Sequence, residues 1–101
     1  MIALSRPVFE EIQNVLQRPK FRHYLSDDDR QEILALLTDA AIWVAPSIRV
    51  TDCRDSRDNM YLELAAATGA NVLISSDQDL LVLDPWRGVR IVRQAEYPGM
   101  I

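Results

Sequence analysis

The chain has 101 residues, 49% of them hydrophobic, which is enough for one modest core and so for a single domain over residues 1–101. Its 11 basic and 15 acidic residues leave a net charge of −4, which excludes coating of nucleic acid by the whole surface but not a local basic patch. Cys53 is the only cysteine, so an internal disulfide and a thiolate zinc site are excluded and a reducing cytoplasm is expected. No run of apolar residues is long enough to span a bilayer, and nothing at the start resembles a signal peptide.

In chain order, Ile2-Ala3-Leu4 reads as the end of a strand that runs straight into a helix, with Ser5 and Pro7 as start signals. The helix is predicted from Pro7 to Gln17, where Arg18-Pro19 stops it. Val8, Ile12, Val15 and Leu16 form its apolar stripe, and Glu10, Gln13, Asn14 and Gln17 its wet face. Glu11 lies between Val8 and Val15, where a carboxylate is costly unless it is paired or reaches solvent at the stripe's border.

Pro19 to Tyr24 reads as a basic and aromatic connector with two readings. Lys20 and Arg22 can hold phosphates while the rings stack on bases, or Phe21 and Tyr24 can anchor the loop to the core while the cations are solvated. His23, the single histidine, is expected at the surface. Ser26 caps the next helix, and Asp27, Asp28 and Asp29 complement its dipole. Ile33, Leu36, Leu37, Ala40 and Ala41 should supply its buried stripe, followed by a strand over Ile42–Ala45 that Pro46 ends.

A loop through Ile48 and Val50 leads to an acidic segment that opens a small-residue helix. Asp58 suits its N-cap, Asn59 to Thr68 run without a breaker, and Gly69 suits the position just past its end. Asn71 to Ser75 is then a buried-type strand, followed by Ser76-Asp77-Gln78-Asp79 and one apolar turn over Leu80–Leu83. Asp84 to Gly88 carries turn chemistry, Val89–Val92 a last strand, and Gln94–Tyr97 a last helical turn. Strands alternating with helices predict an α/β fold with a short parallel sheet. Sites in such folds sit beyond the carboxyl ends of the strands, which is where Asp77 and Asp79 leave theirs and where Asp58 can reach.

Three stretches in this order resemble the PIN-domain family, in particular its toxin components of toxin–antitoxin systems. Leu4 to Ile12 and on to Phe21 is similar to the family's strand–serine–helix segment, Cys53 to Asn59 with Tyr61 to Ala65 to its acidic helix start, and Val72 to Leu81 to its strand-to-aspartate segment. The resemblance implies a PIN-like three-layer fold with sheet order 3-2-1-4-5. It implies a carboxylate site of Glu11, Asp58 and Asp77, helped by Asp79, with Asp55 a lesser candidate beside it. It further implies Mg²⁺ or Mn²⁺ as cofactor, hydrolysis of single-stranded RNA, an antitoxin protein as partner, and a homodimer or higher oligomer in the cytoplasm.

Family members begin with an aspartate-bearing strand that lies at the middle of the sheet, and this chain starts at what would be the second strand. Without that strand the sheet would divide into two pairs, Ile2–Ser5 with Trp43–Ala45 and Val72–Ser75 with Val89–Val92, with unpaired backbone along two strand edges. The expectation is therefore that the two halves close up directly, that another chain supplies the pairing, or that the sequence is a piece of a longer protein. A missing acid would also weaken metal binding, so a non-catalytic scaffold that binds an antitoxin or itself is the second function class. A third, an aspartate-nucleophile phosphatase at Asp77-x-Asp79, fits poorly, because Ser75-Ser76 separate the strand from Asp77 and Leu81 stands where that motif has a threonine.

Overall fold

The computed structural model describes residues 2–100, with the side chains of 98–100 outside the description. The chain divides into two compact units, Met1–Val44 and Ala45–Ile101. Among the described residues the strands form two two-stranded parallel sheets, and helices connect the paired strands. The fold is therefore mixed α/β, as the alternation of strand and helix patterns requires.

The first unit holds β1 (Ile2–Leu4), α1 (Arg6–Leu16), α2 (Pro19–Arg22), α3 (Asp27–Ala40) and β2 (Ala41–Trp43). β1 and β2 pair in parallel, Ile2 with Ala41, Ala3 with Ile42 and Leu4 with Trp43. Leu4, Ser5 and Val8 are buried at the junction of β1 and α1. Ser5 caps α1 by accepting from the Val8 N–H at 3.4 Å, and Ile12, Val15 and Leu16 are half-buried. Ser26 and Asp29 form a reciprocal capping box at the start of α3, with bonds of 3.0 and 3.1 Å. The Phe9 and Trp43 rings meet edge to face at 5.2 Å.

Two expectations for this unit are corrected. Ile33, Leu34 and Leu37 of α3 are half-buried and Leu36 is 63% exposed, while Ala41 belongs to β2, so the helix buries none of its residues fully. Tyr24 is 83% exposed, so it does not anchor the connector, whereas Phe21 is half-buried.

The second unit holds α4 (Asn59–Thr68), β3 (Val72–Ile74), α5 (Gln78–Leu81) and β4 (Arg90–Val92), with 3-10 turns at Ser56–Asp58 and Gln94–Met100. Its core is a cluster of Val50, Cys53, Leu62, Ala65, Leu80, Trp86, Val89 and Ile91. α4 ends at Gly69, whose φ of 66° is the left-handed conformation that glycine adopts without a Cβ clash. The loop before α4 is tied down where the Val50 N–H donates to Glu63 Oε2 at 2.8 Å.

β3 pairs with β4 in parallel, Val72 with Arg90, Leu73 with Ile91 and Ile74 with Val92. Asp84 shapes the turn that delivers β4: its carboxylate accepts from the Ile91 N–H at 2.8 Å and from Arg90 Nε at 2.9 Å. That guanidinium, with the Ile91 amide, holds the Asp84 carboxyl below the usual range. Trp86 donates its indole N–H to Asp52 at 2.8 Å. β4 buries Ile91 and Val92, whereas β3 is half-buried with Ile74 46% exposed, because β4 is its one partner among the described residues. The expected buried strand over Asn71–Ser75 is thus shorter and wetter. The strands that pair, β1 with β2 and β3 with β4, are those the sequence grouped together, and among the described residues the two pairs do not join into one sheet.

Candidate active site

The acids of the second unit are positioned by a turn, a helix start and a strand end. Asp55 caps the 3-10 turn: its Oδ1 accepts from the Arg57 N–H at 3.0 Å, and its carboxylate also receives the Arg57 guanidinium at 3.0 and 3.2 Å. Those bonds hold the Asp55 carboxyl below its ordinary range and commit it. Asp58 ends the same turn and immediately precedes α4. It occupies the N-cap position of α4 as expected, but its backbone is αR and its side chain makes no capping bond. The 3-10 turn already presets the helix start, which leaves the Asp58 carboxyl for something else.

Asp77 follows β3 as the N-cap of α5. Its own N–H donates to Ser75 Oγ at 3.0 Å, and its Oδ1 accepts from the Asp79 N–H at 2.8 Å. These two bonds fix the side chain at the strand's carboxyl end. From there the Asp77 carboxyl lies within hydrogen-bonding reach of Asp58. Burial first, then the Asp77 carboxyl and the charge of Asp55, push the Asp58 carboxyl up to about 6, with Arg57 opposing. Asp58 Oδ2 is buried and has no hydrogen-bond partner among the described residues. The two observations agree: carboxylates can share a bond only through a proton, and when both are ionised neither donates.

Cys53 is buried, 5% exposed, with its Sγ 3.6 Å from the Asp79 carbonyl. Burial pushes its thiol up, and the charges of Asp58, Asp79 and Asp77 push the same way, so all three carboxylates act on this one position. The Cys53 N–H donates to Asn59 Oδ1 at 2.8 Å, and Asn59 Nδ2 reaches the Ser56 carbonyl at 3.4 Å. Asn59, 7% exposed, therefore braces the loop carrying Asp55 and Asp58. Neither Cys53 nor Asn59 stands out in the sequence as a site residue, since a lone cysteine in the loop before the helix and an asparagine in its first turn carry no signal of their own.

Of the four expected site acids, the structure brings Asp58 and Asp77 together, with Asp79 on the following helix. Glu11 belongs to the first unit. It is half-buried on α1 and pairs with Arg18 at 3.5 Å, which resolves its cost on the apolar stripe in favour of pairing. Among the described residues no three His, Cys, Asp or Glu side chains converge as a metal-binding group. What the pair offers is a hard-oxygen donor set with an orphaned, buried oxygen, which is the donor chemistry of a hard divalent cation.

Among the described residues no helix is long and apolar enough to cross a membrane. No solved structure matches the chain. An uncharacterized protein of Methanocaldococcus jannaschii, MJ1680, is 30% identical over 80 residues, which are 78% of this chain and 51% of that protein, so the chain spans about half its relative's length. The PIN domain matches residues 2–79, a span that takes in Glu11, Asp58, Asp77 and Asp79, and the chain belongs to the PIN-domain family.

Proposed function

We propose that this chain is a divalent-metal-dependent endoribonuclease of the PIN toxin type that hydrolyses single-stranded RNA, with an antitoxin protein as partner and a homodimer or higher oligomer as the assembly in the cytoplasm. Both units serve this one function. The observation that carries it is the Asp58–Asp77 pair with the partnerless Asp58 Oδ2. A partly buried acid beside a second acid resists ionisation, and a cation is the partner that would relieve it.

Asp58 and Asp77 would hold Mg²⁺ or Mn²⁺, with Asp79 as the helper. Glu11 enters the ligand set on the sequence resemblance. When bound, such an ion polarises a phosphate oxygen and lowers the pKa of a bound water. The chain's own residues prepare for this. Ser75 and the Asp79 N–H hold Asp77 in one orientation, and Asn59 holds the loop so that the Asp58 carboxyl faces Asp77 instead of capping α4. Cys53, buried and close enough to feel all three acids, adds a poorly solvated group that screens their charges little.

The test is cleavage of a labelled single-stranded RNA by the purified chain in Mn²⁺. Asp58→Asn and Asp77→Asn should each lower the rate by roughly 10²-fold or more, the scale of losing one charge-stabilising group in an active site. Intact RNA with the unsubstituted chain, or equal rates in the variants, would overturn the reading. One observation favours the second reading, a non-catalytic module that binds an antitoxin or itself: no third acid joins the pair among the described residues. Binding of a partner chain without cleavage would support it.

A further inference from the structure

We propose that the surface around α2, made by Lys20, Arg22, His23 and Tyr24, is a platform for single-stranded RNA in which Tyr24 stacks on a base and the two cations hold flanking phosphates. The proposal rests on the ribonuclease reading for its choice of ligand, and it concerns residues outside the carboxylate site.

The choice turns on Tyr24. A tyrosine beside a helix turn ordinarily buries its ring, and an 83% exposed ring plays no part in the packing of this unit. Its backbone is nevertheless fixed. The Tyr24 N–H donates to the Phe21 carbonyl at 3.1 Å, and the Leu25 N–H donates to the same oxygen at 2.8 Å. Arg30, mostly buried, donates from Nη1 to the Leu25 carbonyl at 3.0 Å and pairs with Asp27, which pins the end of the connector to the start of α3. Phe21 is half-buried beneath, with the Lys20 ammonium 5.1 Å above its ring. The exposed ring therefore sits on a held backbone rather than a loose tip, so little ordering remains to be done on binding.

The charges point the same way. From Arg18 to Leu25 there are three cationic side chains and no acid, in a chain whose net charge is −4. Arg18 is engaged by Glu11, while Lys20 and Arg22 are exposed and have no ion-pair partner among the described residues. Of the acids that follow, Asp29 is committed to the capping box and Asp27 to Arg30, so their charge is partly offset. Exposed cations beside an exposed ring are the elements of sequence-tolerant single-strand binding: cations track the backbone and the ring accepts any base.

The experiment measures binding of a fluorescein-labelled 12-nucleotide single-stranded RNA to the full chain by anisotropy in EDTA, over a series of salt concentrations. Tyr24→Ala should weaken binding about fivefold or more with the salt slope unchanged, and Tyr24→Phe should restore it. Lys20→Ala with Arg22→Ala should lower the slope of log affinity against log salt by about 1.4, at about 0.7 for each phosphate left unneutralised. Arg49→Ala with Arg93→Ala, matched in charge and outside the patch, should leave affinity within about twofold. All these side chains are exposed, and unchanged circular dichroism confirms folding. Equal RNA affinity in the patch variants, equal losses in the control, or no RNA binding by any of the proteins would overturn the proposal and leave the patch to an acidic protein partner. Binding that depends on the patch, without cleavage in Mn²⁺, would overturn the ribonuclease reading instead.

Discussion

Met1–Val44 and Ala45–Ile101 carry similar apolar patterning and build different interiors from it. In the second unit a strand, two helices, a loop and a turn all contribute to one cluster, with Leu62 fully covered and Leu80 and Ile91 nearly so. In the first unit the buried residues among those described are Leu4, Ser5 and Val8 at one strand–helix junction, and α3 adds none. Periodicity marks the side of a helix that prefers to be dry, but it does not say that anything covers that side. Caps, in contrast, act locally, and α3 has a complete capping box without a buried residue.

The sharpest way to break this comparison is to truncate one leucine in each unit. Leu62→Ala should cost about 2–5 kcal/mol through lost transfer energy and a cavity, while Leu36→Ala, on the exposed side of α3, should stay within about 0.5 kcal/mol. Urea unfolding of the two variants checks both, and equal losses would contradict the contrast between the units. Next in size, Asn59→Ala should cost about 1–3 kcal/mol, because it leaves the buried Cys53 N–H without its acceptor. The same variant should impair Mn²⁺-dependent cleavage although Asn59 is no proposed ligand, since the brace on Asp58 is lost.

In the first unit, Ser26→Ala should cost about 1 kcal/mol by opening the capping box. A helix without a buried face depends more on such a cap than α4 does, so the loss of helical signal in circular dichroism should be concentrated in α3.

How much of this is legible in the sequence follows the same division. Helix and strand positions and the Gly69 stop are readable, because caps, breakers and apolar runs are local signals, whereas which strands pair is readable only through the family resemblance. The coverage of Leu36 and the exposure of Ile74 are not, since both depend on what lies opposite. At the site, Asp77 is readable from its place after a strand. Asp58 is readable as a site residue through the family pattern, but its local role is not: an acid ahead of a helix suggests a cap, and here the Ser56–Asp58 turn starts the helix without one. Asn59 and Cys53 are invisible because their importance lies in one backbone hydrogen bond and one buried contact.

The smallest predicted effect concerns pH. The Asp58 carboxyl is raised above its unfolded range, so the folded state holds a proton that the unfolded state has released over the interval from roughly pH 4 to about 6. Stability should therefore fall as pH rises through that window and level off above it, in the absence of metal. Asp58→Asn should flatten this slope and stabilise the chain at pH 7 by under about 1 kcal/mol, allowing for solvent screening of the half-exposed pair. Urea midpoints measured in EDTA across the window report the slope directly.

The central claim is that Asp58 and Asp77 form one electrostatic unit, proposed to bind a divalent cation. Carboxyl ¹³C NMR titration of the aspartates, with and without Mg²⁺, tests it most directly. Asp58 should titrate near 6 without metal, fall towards the ordinary range in Asp77→Asn, and drop well below 6 when Mg²⁺ is added. An Asp58 carboxyl that titrates in the ordinary range and ignores both Asp77→Asn and Mg²⁺ would contradict it.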